Sequence, residues 1–419
     1  MTWEEKERLG EVRRELILRT VREADGLPEQ GDRELLRLIE NVIRDYWREH
    51  YLSVRERQWL KKSIFHSLRG LDVLQELMDD PTVTEIMVNG TGAVFVERDG
   101  KLYETKVRFS DEQRLHDVIQ KIAGAVNRVV NEANPIVDAR LADGSRVNIV
   151  LPPVALDGPC VTIRKFPEKR ITMETLLSIG SISPEAAEFL QRLVRAGYNI
   201  FVSGGTGAGK TTFLNVLSDY IPGGERIVTI EDSAELKLSN IRNLVRLEMR
   251  NANVEGRLAV TMRDLIKTSL RMRPDRIIVG EVRDGAAVDM LQSLNTGHSG
   301  MSTGHANSPQ DMLSRIEMMV LLSEEIPLTA VRKQMSSAID IIIQLGRLRD
   351  RTRKVLSIVE VLEVKDGEIP VNPLFTFREL GEDETGHIIG KLEKTGSVLK
   401  RSQKLSIAGL TEPAGGPEA

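Results

Sequence analysis

The sequence predicts an α/β protein: a mostly parallel sheet with helices packed on it, joined to a smaller α+β domain and a leading helical segment. Three observations carry that expectation. An aliphatic strand pattern at 198–202 runs into the glycine loop Ser203-Gly204-Gly205-Thr206-Gly207-Ala208-Gly209-Lys210-Thr211-Thr212 and then into an apolar helix face. From 186 to 345 helical and strand patterns alternate, as they do where parallel strands are joined by crossover helices. Beyond Pro81 the apolar period changes from helical to alternating, with Asn-Gly and Asp-Gly turns.

Taken in order, residues 1–78 read as helical, with Leu35, Leu36, Ile39, Val42, Ile43 and Tyr46 on one face and Ser53 capping a further helix. Its interspersed Arg and Glu suit a solvated surface. Residues 79–166 read as the α+β domain. Strands are expected at 84–88, 94–97 and 102–107, then a helix opened by a Ser110/Gln113 capping box and running to Val126. Two more strands flank Asp143-Gly144, and another spans 161–165. Arg140 and Arg146 bracket that turn and read as surface charge on a hairpin. Residues 167–185 are expected to link this domain to a second one at 186–410, and the Pro/Gly-rich 411–419 to be a disordered tail.

Composition removes several function classes. At 419 residues the chain exceeds one ordinary core. Its 58 Lys and Arg nearly balance 62 Asp and Glu, so a charge of −4 gives no case for a nucleic-acid partner. A single cysteine, Cys160, excludes an internal disulfide framework or a cysteine-cluster zinc site. No apolar run reaches membrane-spanning length, and the start lacks the layout of a secretory signal, so a soluble cytoplasmic protein is expected.

The glycine loop fits the pattern in which successive backbone N–H groups, from Gly204 through Thr212, turn inward around nucleotide phosphates. Lys210 would neutralise β- and γ-phosphate oxygens and Thr211 would ligate the accompanying Mg2+, which makes ATP with Mg2+ the expected cofactor pair. In a parallel sheet, ligands sit beyond the carboxyl ends of the strands. Strand 226–230 ends at Glu231 and strand 276–280 at Glu281, so both acids are expected on the loop's edge. One would orient the attacking water and the other hold the magnesium shell, in either order. Among the arginines between the acids (Arg242, Arg246, Arg250, Arg257, Arg263, Arg271, Arg273 and Arg276), Arg271 and Arg273 are the candidate phosphate-reading pair. His298 and His305, in one Gly- and Ser-rich segment, are read as phosphate sensors rather than metal ligands. The helix after Ser308 and Pro309 carries Met318, Met319, Leu321 and Leu322, a stripe read as core.

In order along the chain, the phosphate loop, Thr229-Ile230-Glu231-Asp232, Ile277-Ile278-Val279-Gly280-Glu281 and the two-histidine segment resemble the hexameric ATPases of type II and type IV secretion and pilus assembly. The likeness is strongest to the tight-adherence (Flp) pilus branch, the CpaF ATPases, and covers the chain from about Val73 past Leu356. It implies a RecA-like P-loop NTPase domain behind the α+β domain, six copies in a ring, and ATP hydrolysis driving pilus assembly or secretion through an inner-membrane platform protein. By the same resemblance Lys210 and Thr211 bind phosphate and magnesium, Glu231 and Glu281 serve hydrolysis, His298 and His305 line the site, and Arg140 and Arg146 reach the nucleotide. The chain departs from the pattern in lacking a four-cysteine zinc module, so zinc is not expected, and in having Gly304 before the second histidine. A RecA-like nucleic-acid-dependent ATPase or helicase is the alternative.

Overall fold

A computed structural model of the chain describes residues 3–25, 31–98, 100–126, 128–166, 171–250 and 259–410. The expected tail at 411–419 lies outside the described residues, as do Asp99 of one predicted turn, Arg257, and 167–170 of the expected linker. The chain divides into two compact units, Met1–Glu168 and Lys169–Ala419.

In the first unit, helices Gly10–Ala24, Asp32–Glu49 and Val54–Leu68 pack together through Leu16, Ile17, Ile39, Val42, Ile43, Leu60 and Ile64. Ser53 caps the third, its hydroxyl accepting from Glu56 N at 3.3 Å while Glu56 accepts Ser53 N at 2.7 Å. A six-stranded antiparallel sheet follows: β1 (Val83–Asn89), β2 (Ala93–Arg98), β3 (Lys101–Glu104), β4 (Ile136–Arg140), β5 (Arg146–Val150) and β6 (Cys160–Arg164), in the order β3-β2-β1-β6-β5-β4. Helix Glu112–Ala125 covers one face through Leu115, Val118, Ile119 and Ile122. Its cap is Asp111, which accepts from Arg114 N at 2.9 Å, rather than the predicted Ser110, whose hydroxyl donates to Asp111 instead. A carboxylate is the stronger acceptor at a helix start, where the dipole also favours it.

The second unit holds β7 (Ile200–Gly204), β8 (Arg226–Glu231), β9 (Asn243–Glu248), β10 (Arg276–Val279), β11 (Ser299–Gly304), β12 (Ile341–Arg347), β13 (Arg353–Val361), β14 (Val371–Glu382) and β15 (Ile388–Lys394). Their order is β15-β14-β13-β12-β7-β11-β10-β8-β9. From β12 to β9 every pairing is parallel. From β12 to β15 every pairing is antiparallel, because short turns connect those strands. The Ile- and Val-rich inner strands are buried on both faces. Ile200, Val202, Ile278 and Ile343 pack against helices Pro184–Arg195 and Lys210–Ser218. Phe201, Val228, Ile277 and Ile342 pack against Ala286–Asn295, Pro309–Ser323 and Leu328–Ala338.

Two sequence expectations need correction here. Part of the expected linker is ordered: helix Met173–Ser178 starts at Thr172, whose hydroxyl accepts from Thr175 N at 3.3 Å, and it buries Met173 and Leu176. The methionine stripe is mostly surface rather than core: of Met318, Met319, Leu321 and Leu322, only Met319 packs against the interior, and the helix buries other residues instead. Met312, Ile316 and Val320 face inward, whereas Met318 and Leu322 are 61% and 83% exposed, since helical periodicity puts them on the opposite side.

At the amino end of β10, Arg276 is 3% exposed and forms a two-pronged pair with Glu225, at 2.5 Å from Nε and 2.8 Å from Nη2. Its Nη1 donates to Val194 O at 2.5 Å. This buried, fully engaged cation anchors the rim opposite the glycine loop.

Candidate functional site

β7 ends at Gly204, and the chain turns through 205–209 into helix Lys210–Ser218. Gly207 and Gly209 hold φ of +70° and +90°, values that favour glycine. Gly204 is required for a different reason: a Cβ there would lie 2.8 Å from Leu345 O on β12. Around Gly205 and Gly207 an added Cβ would meet nothing within 4 Å, so that side of the loop faces open space. Lys210 is 8% exposed and its ammonium folds over the loop to donate to Gly205 O at 3.1 Å. Ala208 N donates to the same oxygen at 3.3 Å. Thr211 and Thr212 follow, half-buried, on the first helical turn. Loop amides and a helix start beside a buried ammonium make an anion-binding concavity.

Because β7, β8, β10 and β11 run parallel, residues at their carboxyl ends share the loop's rim. That rim receives Glu231, Glu281 and His305. His305 bridges the other two parts of the site: Nδ1 lies 3.2 Å from Lys210 Nζ, and Nε2 lies 3.3 Å from Glu281 Oε1. An ammonium can only donate, so Nδ1 must accept, and the proton sits on Nε2 facing Glu281. Burial and the Lys210 charge hold the His305 pKa below the usual histidine value, against an opposing pull from Glu281. The imidazole is therefore neutral near pH 7.

Glu281 is half-buried. Burial pushes its carboxyl up, but Arg283, His305 and Lys210 together outweigh it and hold the group below the ordinary carboxylate value. Arg283 grips both oxygens, Nε to Oε1 at 3.0 Å and Nη2 to Oε2 at 2.9 Å, and also lies 3.7 Å from Asp232. The result is an ionised, oriented carboxylate at the loop's rim.

Glu231 differs. It is 2% exposed and its Oε2 accepts from the backbone N–H groups of Glu235 and Leu236 at 2.7 and 2.9 Å, while Oε1 is buried without a hydrogen-bond partner. Burial raises its pKa, against lowering by those two amides and by Arg246. Gly280 lets it sit there, since a Cβ at 280 would come 3.0 Å from Glu231 Cγ. The carboxyl thus organises the 232–236 loop and does not face solvent.

The other predicted residues are not gathered at this rim within one chain. His298 precedes β11, whereas His305 follows it, so the two histidines sit at opposite ends of the strand, roughly 20 Å apart along it. Arg271 and Arg273 are exposed just before β10, also at its amino end. Arg140 and Arg146 belong to the first unit, where they face each other across the β4–β5 hairpin. Of the arginines between the two acids, Arg263 is bound to Asp289 and Glu324 and Arg276 to Glu225, both structural roles. Gly304 has a packing reason, as a Cβ there would come 2.4 Å from Met312 Cε. Two residues at the site carried no sequence signal, Arg283 and Arg353, the latter donating from Nε to Gly207 O at 2.8 Å.

A family model described as "Type II/IV secretion system protein" matches residues 67–385. A putative conjugal transfer protein of Mycobacterium tuberculosis is 37% identical over 309 residues, covering 72% of this chain and 87% of that protein. The type IV secretion system protein PtlH of Bordetella pertussis is 34% identical over 303 residues, covering 66% and 89%. Among solved structures, the pilus retraction motor PilT with bound ADP shares 21% identity at a TM-score of 0.51, covering 81% of this chain and 87% of that one, a likeness of fold. Among the described residues no helix is long and apolar enough to cross a membrane. The sheet order, the glycine loop at the end of β7 and these likenesses agree on an α/β, RecA-like P-loop fold, and the chain belongs to the type II/IV secretion system protein family.

Proposed function

We propose that the protein is an ATP hydrolase whose turnover drives a pilus-assembly or secretion machine. The observation that carries this reading is the unbroken line Lys210–His305–Glu281 beside a glycine loop on one sheet rim. Lys210 and the loop amides bind the phosphates: a polyphosphate competes with Gly205 O for both the ammonium and Ala208 N–H. The residues also fit Mg2+, which Thr211 would ligate directly and the ionised Glu281 through water; when bound, the ion neutralises charge on the β- and γ-phosphates. Glu281 is assigned the attacking water's proton, because it is ionised and half-exposed, and Glu231 the shaping of the adjacent loop. Neutral His305 passes the state of Lys210 to Glu281: if the ammonium moves to phosphate, Nδ1 loses its donor and the imidazole is free to turn.

His298, Arg271 and Arg273 are assigned to contacts made by a neighbouring copy, in a ring of six acting against an inner-membrane platform from the cytoplasmic side. Within the family, the motif set is the ground for assigning the chain to the tight-adherence pilus branch, and the single Cys160 leaves it without a four-cysteine zinc module. Sizing the purified chain with and without Mg2+-ATP, with phosphate release measured in parallel, tests the reading. It predicts a nucleotide-favoured ring and steady release. A monomer without release under both conditions would overturn it, and release that requires single-stranded DNA would replace it with a nucleic-acid motor.

A further inference from the structure

Arg353 lies 146 residues beyond Gly207 in the chain, yet its Nε donates to the Gly207 carbonyl at 2.8 Å. The contact is built from two sides. β12 pairs with β7 so that Leu345 stands beside Gly204, and the β12–β13 hairpin continues past that point, with Arg347 opposite Arg353. The arginine's aliphatic stem runs along the loop, since a Cβ on Gly209 would be 3.6 Å from Arg353 Cδ. Its backbone is pinned from behind. Ser181 Oγ donates to Arg353 O at 2.6 Å, Val355 N donates to Ser181 O at 2.8 Å, and Lys354 Nζ donates to the carbonyls of Ile179 and Gly180 at 3.1 and 2.8 Å.

Resting on the ATPase reading above, we propose that Arg353 is a positioning residue of the phosphate loop. Its guanidinium holds the Gly207 carbonyl outward and so aims the Ala208 N–H at the phosphates. The reason is the planarity of the trans peptide: the carbonyl of Gly207 and the N–H of Ala208 point in opposite directions. With the carbonyl held by a cation, the N–H must face across the loop, and it does, toward Gly205 O at 3.3 Å. Gly207, at φ +70° with open space around it, has no side chain to fix that peptide by packing. Without Arg353 the peptide can flip and present an oxygen to the anion. Phosphate loops depend on carbonyls turned away from the ligand, and here a residue from a distant hairpin enforces that orientation. Through Ser181 and Lys354 the same brace joins the loop to the first turns of the second unit.

The test is steady-state ATP hydrolysis and equilibrium Mg2+-ATP binding by the full chain carrying Arg353→Ala, Arg353→Lys or Arg349→Ala. Arg349 is on the same hairpin but pairs with Glu379 and Glu382, so it controls for general hairpin damage. Loss of one charge-assisted hydrogen bond that orders the cradle predicts a rise of about tenfold in KM and Kd for Arg353→Ala, with kcat within about twofold. Arg353→Lys, which keeps a cationic donor, recovers most of that, and Arg349→Ala shows neither change. If Arg353→Ala does not fold, Arg353→Lys and Arg353→Gln decide the matter, the lysine variant binding more tightly than the glutamine. Unchanged KM and Kd in Arg353→Ala, or equal losses in Arg353→Ala and Arg349→Ala, would overturn the inference. A wild-type chain that binds Mg2+-ATP without releasing phosphate would remove the hydrolase reading alone, with Kd still deciding Arg353; no binding at all would remove both.

Discussion

Replacing Glu281 by Gln keeps the side chain's shape and removes its charge, so the consequences can be worked from its contacts. The carboxylate accepts two hydrogen bonds from Arg283, at 3.0 and 2.9 Å, and faces the His305 Nε2 proton at 3.3 Å. An amide offers one acceptor oxygen and one NH2, and the NH2 cannot receive a bond from a guanidinium. One Arg283 contact is lost. Because Arg283's side chain is 57% exposed, that loss costs only about 1 kcal/mol of stability. Turnover suffers far more. If Glu281 takes the proton of the attacking water, its removal lowers kcat by about 10²–10⁴-fold, or about 3–5 kcal/mol of barrier. ATP affinity stays within about threefold, since Lys210 and the loop amides are untouched. Phosphate release at saturating Mg2+-ATP, nucleotide binding and a thermal melt of the same preparation separate these effects. A kcat within about threefold of the unaltered protein, or an affinity loss matching the loss of kcat, would refute the assignment.

Three further outcomes follow from the same geometry. The active state needs Glu281 ionised and His305 neutral, and both pKa values lie below their ordinary 4.5 and 6.5. The acid limb of kcat/KM should therefore have its midpoint below 6.5 and be moved by His305→Asn; a midpoint at or above 6.5 would contradict this. Glu225→Ala strips the buried Arg276 of its carboxylate and should cost about 3 kcal/mol in denaturant titrations, with nucleotide affinity unchanged because the pair sits on the far rim. Gly304→Ala pushes a methyl into Met312 and should cost about 1–3 kcal/mol, whereas Gly304→Ala with Met312→Ala should be less destabilised than the sum of the single changes.

The parts of this site legible in the sequence are those encoded locally. A glycine loop between an aliphatic strand and an amphipathic helix carries its geometry in adjacent residues. The two acids could be placed because a strand's last residue falls on a known rim of a parallel sheet. That same rule, applied to Arg271, Arg273 and His298, puts them at strand beginnings and hence on the other rim, where the structure has them; their chemistry had suggested otherwise. Arg283 follows Glu281 by two residues in a loop without periodicity, so nothing marked it as the carboxylate's partner. Arg353 reaches the loop only because β12 pairs with β7 and then turns back as a hairpin, a long-range pairing that no local pattern encodes. The burial of Glu231 was equally hidden, since it depends on the next loop folding back to donate two amides. Met318 and Leu322 show the reverse error: apolar character alone does not say which side of a helix is covered.

If this rim of the second unit splits ATP with Lys210 as the phosphate-neutralising cation, Mg2+-dependent phosphate release from ATP, measured side by side on the unaltered chain and on Lys210→Ala, should be steady in the first. In the second it should fall by at least about 100-fold, the scale on which an oriented charge acts on a developing anion. Equal release by both would contradict it.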